Sequence, residues 1–108
     1  MRFKTKCGEI IYCKDDYNKE LDNDQIYVTD SIWYYKGYML HRNDEPAIEW
    51  CDGSKEWYFN GQSHREDGPA IQWSDGDDWW YLDGMKRCKE DYWKLINLKN
   101  KNRVLDDI

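Results

Sequence analysis

Between residues 47 and 84 the apolar positions come in short bursts and do not follow helical spacing. Ile48 and Trp50 flank Glu49, and Ile71 and Trp73 flank Gln72, the period of two expected of a half-buried strand. Asp52-Gly53, Asn60-Gly61, Asp75-Gly76 and Asp83-Gly84 bound the bursts. Such dipeptides suit type I′ hairpin turns, whose central positions both take positive φ. They predict strands over Ala47–Trp50, Glu56–Phe59, Ala70–Trp73 and Trp79–Leu82. Pro46 and Pro69 open two of these strands, where a missing N–H costs least. Ile26 and Val28, ahead of Asp30, read as a degenerate strand of the same kind. Cys7–Cys13 reads as one strand pairing at a sheet edge, and Lys14–Asp24 as a loop or short helix anchored by Tyr17 and Leu21.

From Lys89 the period changes. Tyr92, Trp93, Leu95, Ile96 and Leu98 fall at helical spacing, with Glu90 and Asp91 early and Lys94 and Lys99 late, an order that suits the helix macrodipole. The expected fold is mainly β: an antiparallel β-hairpin meander, or repeat sheet, with a C-terminal capping α-helix that covers an open edge. One domain spans 1–108, with an N-terminal strand, acidic loop and degenerate strand over 1–32. A repeat core follows over 33–88, a capping helix over 89–99 and a frayed tail over 100–108, in which Val104-Leu105 is the segment able to dock.

The middle of the chain matches itself at a shift of 23. His41-Arg42-Asn43-Asp44-Glu45-Pro46-Ala47-Ile48-Glu49-Trp50 recurs as His64-Arg65-Glu66-Asp67-Gly68-Pro69-Ala70-Ile71-Gln72-Trp73. Trp33-Tyr34-Tyr35-Lys36-Gly37 and Trp57-Tyr58-Phe59-Asn60-Gly61 precede the two copies, and Trp80-Tyr81-Leu82-Asp83-Gly84 follows the second. This pattern marks units that bury their apolar faces on one another. Trp33, Trp57 and Trp80 are expected to form one ladder and Trp50 and Trp73 another, with Tyr34, Tyr58 and Tyr81 facing the opposite way as a Tyr stripe.

The unit from Trp57 to Ala70 resembles the tryptophan-rich relative of the MORN repeat, found in many proteins of bacteriophages and giant viruses. The match weakens in the first copy, where Lys36 and Glu45 depart from it, and the third copy is truncated. The resemblance implies stacked β-hairpins used as a scaffold or binding surface, with no shared catalytic residues, and it suggests a viral setting.

Composition sharpens the functional expectation. Seven Trp and nine Tyr against two Phe make amphipathic rings the main apolar material, and the net charge is −6. Residues 1–42 are neutral, 43–83 carry −9 and 84–108 carry +3. An acidic chain does not bind nucleic acid by neutralising phosphates. The N-terminus lacks a signal-peptide pattern and no stretch is apolar enough to span a membrane, so a cytoplasmic protein is expected, in the host cytoplasm if it is viral. Cys7, Cys13, Cys51 and Cys88 show no metal-ligand spacing, and reduced thiols are expected. No cofactor, metal or enzymatic activity is expected.

The expectation is therefore a protein-interaction module. Its concrete form is a small phage-encoded inhibitor of a host defence protein that blocks a nucleic-acid site. Asp44, Glu45, Asp67, Asp75, Asp77 and Asp78 would stand in for phosphates, and Tyr58 and Tyr81 would anchor the partner. His41, Arg42, His64 and Arg65 are expected to form a structural network, with Asp accepting from Arg and His packing on a Trp ring. The alternatives are a self-assembling scaffold, with homo-oligomers, and a ligand-binding or hydrolytic protein that uses His41 and His64.

Overall fold

A computed structural model describes the backbone of residues 1–106 and the side chains of residues 1–100. The chain is mainly antiparallel β-sheet, curled, with one C-terminal helix. Its strands are β1 (Arg2–Lys4), β2 (Ile10–Tyr17), β3 (Tyr27–Thr29), β4 (Ile32–Tyr35), β5 (Tyr38–Leu40), β6 (Ile48–Glu49), β7 (Lys55–Glu56), β8 (Tyr58–Phe59), β9 (Gln62–Ser63), β10 (Ile71–Gln72), β11 (Asp78–Leu82) and β12 (Met85–Arg87). They are followed by α1 (Lys89–Asp106). The sheet runs β12-β11-β10-β7-β6-β2-β5-β4-β3, with β1 also on β2 and β8-β9 as a separate hairpin.

Hydrogen bonding reveals three equivalent hairpins. β1-β2, β6-β7 and β10-β11 align Phe3 with Ile11, Ile48 with Glu56 and Ile71 with Trp79. Each is closed by the same pair of turn bonds: one from Thr5 N to Glu9 O, Trp50 N to Ser54 O and Trp73 N to Asp77 O, and one back from Gly8, Gly53 and Gly76 N to Thr5, Trp50 and Trp73 O, with these glycines at φ of 93–94°. Asp52 and Asp75 do not take positive φ. These are therefore longer turns with one left-handed glycine, and each Asp side chain accepts the amide two residues on. The type I′ pattern, with positive φ at both central residues, holds at Asn60-Gly61 and Asp83-Gly84, and also at Lys36-Gly37 and Asp30-Ser31.

After each of these hairpins the chain changes partners. Tyr12 and Trp57 give their N–H to Ala47 and Ala70 (2.7 Å each), and their carbonyls accept from His41 and His64 at 3.1 and 3.2 Å. The next residues enter a second ladder, Cys13 opposite Leu40, Tyr58 opposite Ser63 and Tyr81 opposite Lys86. In the first unit residues 14–39 stand where residues 59–62 stand in the second. That insertion carries the 3-10 turn Lys19–Leu21 and the β3-β4 hairpin.

Two expectations are corrected here. Cys7 and Gly8 lie in a turn, and the strand that follows is central because β1 pairs on its far side. Tyr12, not Trp33, is the counterpart of Trp57, and Trp33 pairs with Val28 in the inserted hairpin.

The core gathers Ile11, Cys13, Tyr35, Leu40, Ala47, Ile48 and Tyr58, with Phe3, Ile26, Trp33, Tyr38 and Trp50 packed on it. Burial pushes the Cys13 thiol up to about 12, which leaves it an unreactive core group. Gly61 joins the units: its φ is +77°, its N–H goes to Leu40 O, and a Cβ there would come within 2.3 Å of Ile32.

The helix runs from Lys89 through Asp106. Asp107 and Ile108, and the side chains of Val104 and Leu105, lie outside the described residues. Tyr92 and Ile96, one turn apart, are the buried stripe of the helix, while Leu95 and Leu98 are exposed. Tyr92 and Trp93 pack on Trp80 at ring separations of 4.9 and 5.8 Å, so the helix covers the face of β11, and β12 remains the edge strand. The Tyr92 hydroxyl donates to Arg65 O and accepts from Gly68 N.

Tyr92→Phe removes the partner of two backbone groups in that loop and is expected to destabilise the chain by about 1–3 kcal/mol. Urea denaturation checks this; a midpoint equal to that of the parent would show that the hydroxyl does not hold the helix down.

Candidate functional site

The alternation of strand side chains separates two sites on opposite faces. Tyr12, Trp57 and Trp80 face one way, and Glu56, Tyr58, Trp79 and Tyr81 the other.

On the Trp57 side, the His-Arg segments form a repeated set of contacts. His41 Nδ1 accepts the amide of Asn60 and His64 Nδ1 that of Asp83, both at 2.9 Å. Each histidine thus secures the hairpin turn of the following unit. Because Nδ1 of His64 accepts, its proton lies on Nε2, 3.0 Å from Glu66 Oε2. Lys99 holds the same oxygen at 2.7 Å, and the hydrogen bonds from Lys99, first, and from His64 keep the Glu66 carboxyl below its usual range.

Arg42 lies 3.8 Å over the Tyr12 ring and Arg65 3.9 Å over the Trp57 ring. Their guanidinium groups donate to Pro46 O and Pro69 O. It is therefore Arg that stacks on the large ring, while His41 packs on Phe59 at 4.7 Å. Arg65 pairs with Asp67 at 2.8 Å, whereas Arg42 pairs with Glu45 at 2.6 Å and not with Asp44. A cavity of about 490 Å³ opens beside these loops, lined by Arg42, Asp44, Trp57, His64 and Asp67 among others. Both arginines donate to a loop carbonyl and both histidines accept a turn amide.

The opposite face carries an open groove of about 620 Å³, lined by Trp33, Trp50, Trp73, Trp79, Tyr58 and Tyr81 with Ile26, Ile48 and Ile71. Glu56 lines it too and is only 7% exposed. Trp50 Nε1 donates to its Oε2 at 2.6 Å and the Tyr58 hydroxyl to its Oε1 at 2.8 Å. Burial, then the Glu56 charge, raises the Tyr58 and Tyr81 phenols above their ordinary range. Trp73 and Trp79 meet edge to face at 5.3 Å. Tyr58 is 3% exposed, so it belongs to the groove floor and not to an exposed stripe, while Tyr81 is half-buried. Trp50 and Trp73 share this face as expected.

The six acids singled out above do not come together. Asp44, Glu45 and Asp67 lie in the loops that lead into β6 and β10, whereas Asp75, Asp77 and Asp78 lie at the turn on the other end of those strands. Asp77 accepts from Trp79 Nε1 at 3.2 Å. Asp52 belongs to the turn group and was not singled out: the amide and hydroxyl of Ser54 hold its carboxyl below the usual range, and it accepts from the Ser74 hydroxyl at 3.3 Å.

The four cysteines are unpaired, no group of three His, Cys, Asp or Glu among the described residues could hold a metal ion, and no described helix is long and apolar enough to cross a membrane. Comparison with protein-family models, with curated proteins and with solved structures gives no match.

Two predictions follow from the histidine contacts. His64→Ala deletes the acceptor of the Asp83 amide and is expected to lower stability by about 1 kcal/mol, read as a shift of the denaturation midpoint. His41 is held below its ordinary value of 6.5, first by burial and then by the Lys14 charge. The unfolded chain then binds more protons than the folded one below about pH 6.5, so stability present above that pH is lost as pH falls through the folded value. The denaturation midpoint should drop from pH 7 to 5.5, and less so in His41→Gln; an equal drop in both proteins would rule out His41 as its source.

Proposed function

We propose that this chain is a protein-binding module of stacked, MORN-like hairpin units that receives a basic partner in the aromatic groove. The observation that supports this reading is the groove itself. Four of the seven Trp line one open concavity, and large rings in a partly desolvated pocket are the usual anchors of protein recognition. The acidic loops and turns lie at the two ends of the strands that form the groove, where they steer a basic partner towards it. The phosphate-mimic form of the reading needs those acids as one continuous track. They are divided between two ends, so the proposal stops at a basic protein segment. The histidines and arginines take no part in chemistry on this reading, since each is committed to a backbone group of the fold.

A self-assembling scaffold is the second reading, favoured by β3 and β12, which end the sheet with no strand beyond them among the described residues.

Immobilised chain presented to basic proteins tests the first reading. Capture should be lost at a few hundred millimolar salt, where charges beyond a few Å are screened. Asp67→Asn with Asp78→Asn should slow it, and Trp79→Ala should abolish it. Capture indifferent to all three changes would sink the groove reading. Concentration-dependent oligomers that capture nothing would favour the scaffold.

A further inference from the structure

Glu56 occupies a place where the equivalent hairpins carry apolar residues. Its counterparts opposite Phe3 and Ile71 are Ile11 and Trp79, and it stands itself between Ile48 and Ile71. A carboxylate at that position is costly to bury unless a cation compensates it. None does: among the described residues its partners are the neutral donors Trp50 Nε1–H and Tyr58 O–H, and no Lys, Arg or His forms an ion pair with it. The two donors fix the direction of both oxygens without cancelling the charge. The rings of Trp33, Trp50, Trp73, Trp79 and Tyr81 line the same groove, and the Lys86 ammonium already lies 4.2 Å over one of them, Trp79. Faces of Trp and Tyr attract cations, and they do so most strongly where water is excluded.

We propose that the groove takes a methylated ammonium group, carried on a lysine side chain of the partner, with Glu56 as its counter-charge and the surrounding rings as its walls. This deepens the binding-module reading and rests on it. An unmodified ammonium brings three N–H donors that water satisfies better than rings do, and the lining is mostly aromatic and aliphatic, with Glu56, Ser31, Ser63 and the Tyr hydroxyls as its polar side-chain groups. A methylated one presents polarised C–H groups to the ring faces instead.

Calorimetric titration of the intact chain tests this with four probes. These are N-acetyl-trimethyllysine amide, N-acetyl-lysine amide, the neutral analogue of the first with a tert-butyl group in place of trimethylammonium, and choline. The trimethyllysine derivative should bind at least tenfold tighter than its neutral analogue and than unmodified lysine, and Glu56→Gln should remove the advantage over the neutral analogue. Equal binding of the charged and neutral analogues to the parent chain overturns the cation assignment, whatever Glu56→Gln does to folding, and leaves the groove as an apolar binding site. Choline binding as tightly as the lysine derivative overturns the peptide-borne source. Binding of none of the four, with partner capture still dependent on Trp79, overturns the cation proposal while the binding-module reading stands.

Discussion

A strand of two residues forms too few ladder bonds to hold its own position, and β6 to β10 are all of that length. The fold depends instead on one recurring junction. At Tyr12 and again at Trp57 the backbone leaves one partner and takes up another, giving its N–H to an alanine carbonyl and accepting the N–H of the histidine that begins the next connection. The arginine after that histidine lies across the ring of the junction residue and reaches back to the carbonyl before the alanine. The histidine ring accepts the turn amide of the unit that follows. Each unit is thus closed by groups of its neighbour. Ala47 and Ala70, both fully buried, mark how closely the backbones approach there. Towards the C-terminus Tyr92 of the helix supplies such groups to the Arg65–Gly68 loop.

The same junction creates the groove. With the ring of Trp57 turned towards Arg65, the period of two sends Glu56 and Tyr58 to the other face, where Trp50, Trp73 and Trp79 stand. The insertion adds Ile26, just ahead of β3, and Trp33 of β4 along that side, so the concavity opens beside the core and shares residues with it. One face is spent on closing the units, and the opposite face carries rings that are only partly covered. Its buried carboxylate is the feature that the packing alone does not require.

Much of the fold was legible because the shift of 23 maps one set of bonds onto another: the copies from His41 and His64 align without a gap and share the histidine-to-turn-amide, arginine-over-ring and arginine-to-proline-carbonyl contacts. The first unit was harder to see. Residues 14–39 interrupt it, and its junction residue is Tyr12, so Trp33-Tyr34 with Gly37 after it presented a better match to Trp57-Tyr58 than the true counterpart did. The Asp-Gly turns looked alike as dipeptides, yet only those at Asn60 and Asp83 use two positive-φ residues; the others are set by spacing to the next strand. The groove was half visible in Trp50 and Trp73. Glu56 was missed, although one signal was present, an acid standing where the alternation calls for an apolar side chain.

The seven Trp divide cleanly for a solution experiment: Trp33, Trp50, Trp73 and Trp79 line the groove, whereas Trp57, Trp80 and Trp93 lie against Arg65 or the helix. Assigned NMR spectra of the indole N–H signals, recorded with and without a captured partner, test the central claim most directly. The account predicts that the groove set shifts and the other three hold still. Shifts confined to Trp57, Trp80 or Trp93 would place recognition on the opposite face and contradict it.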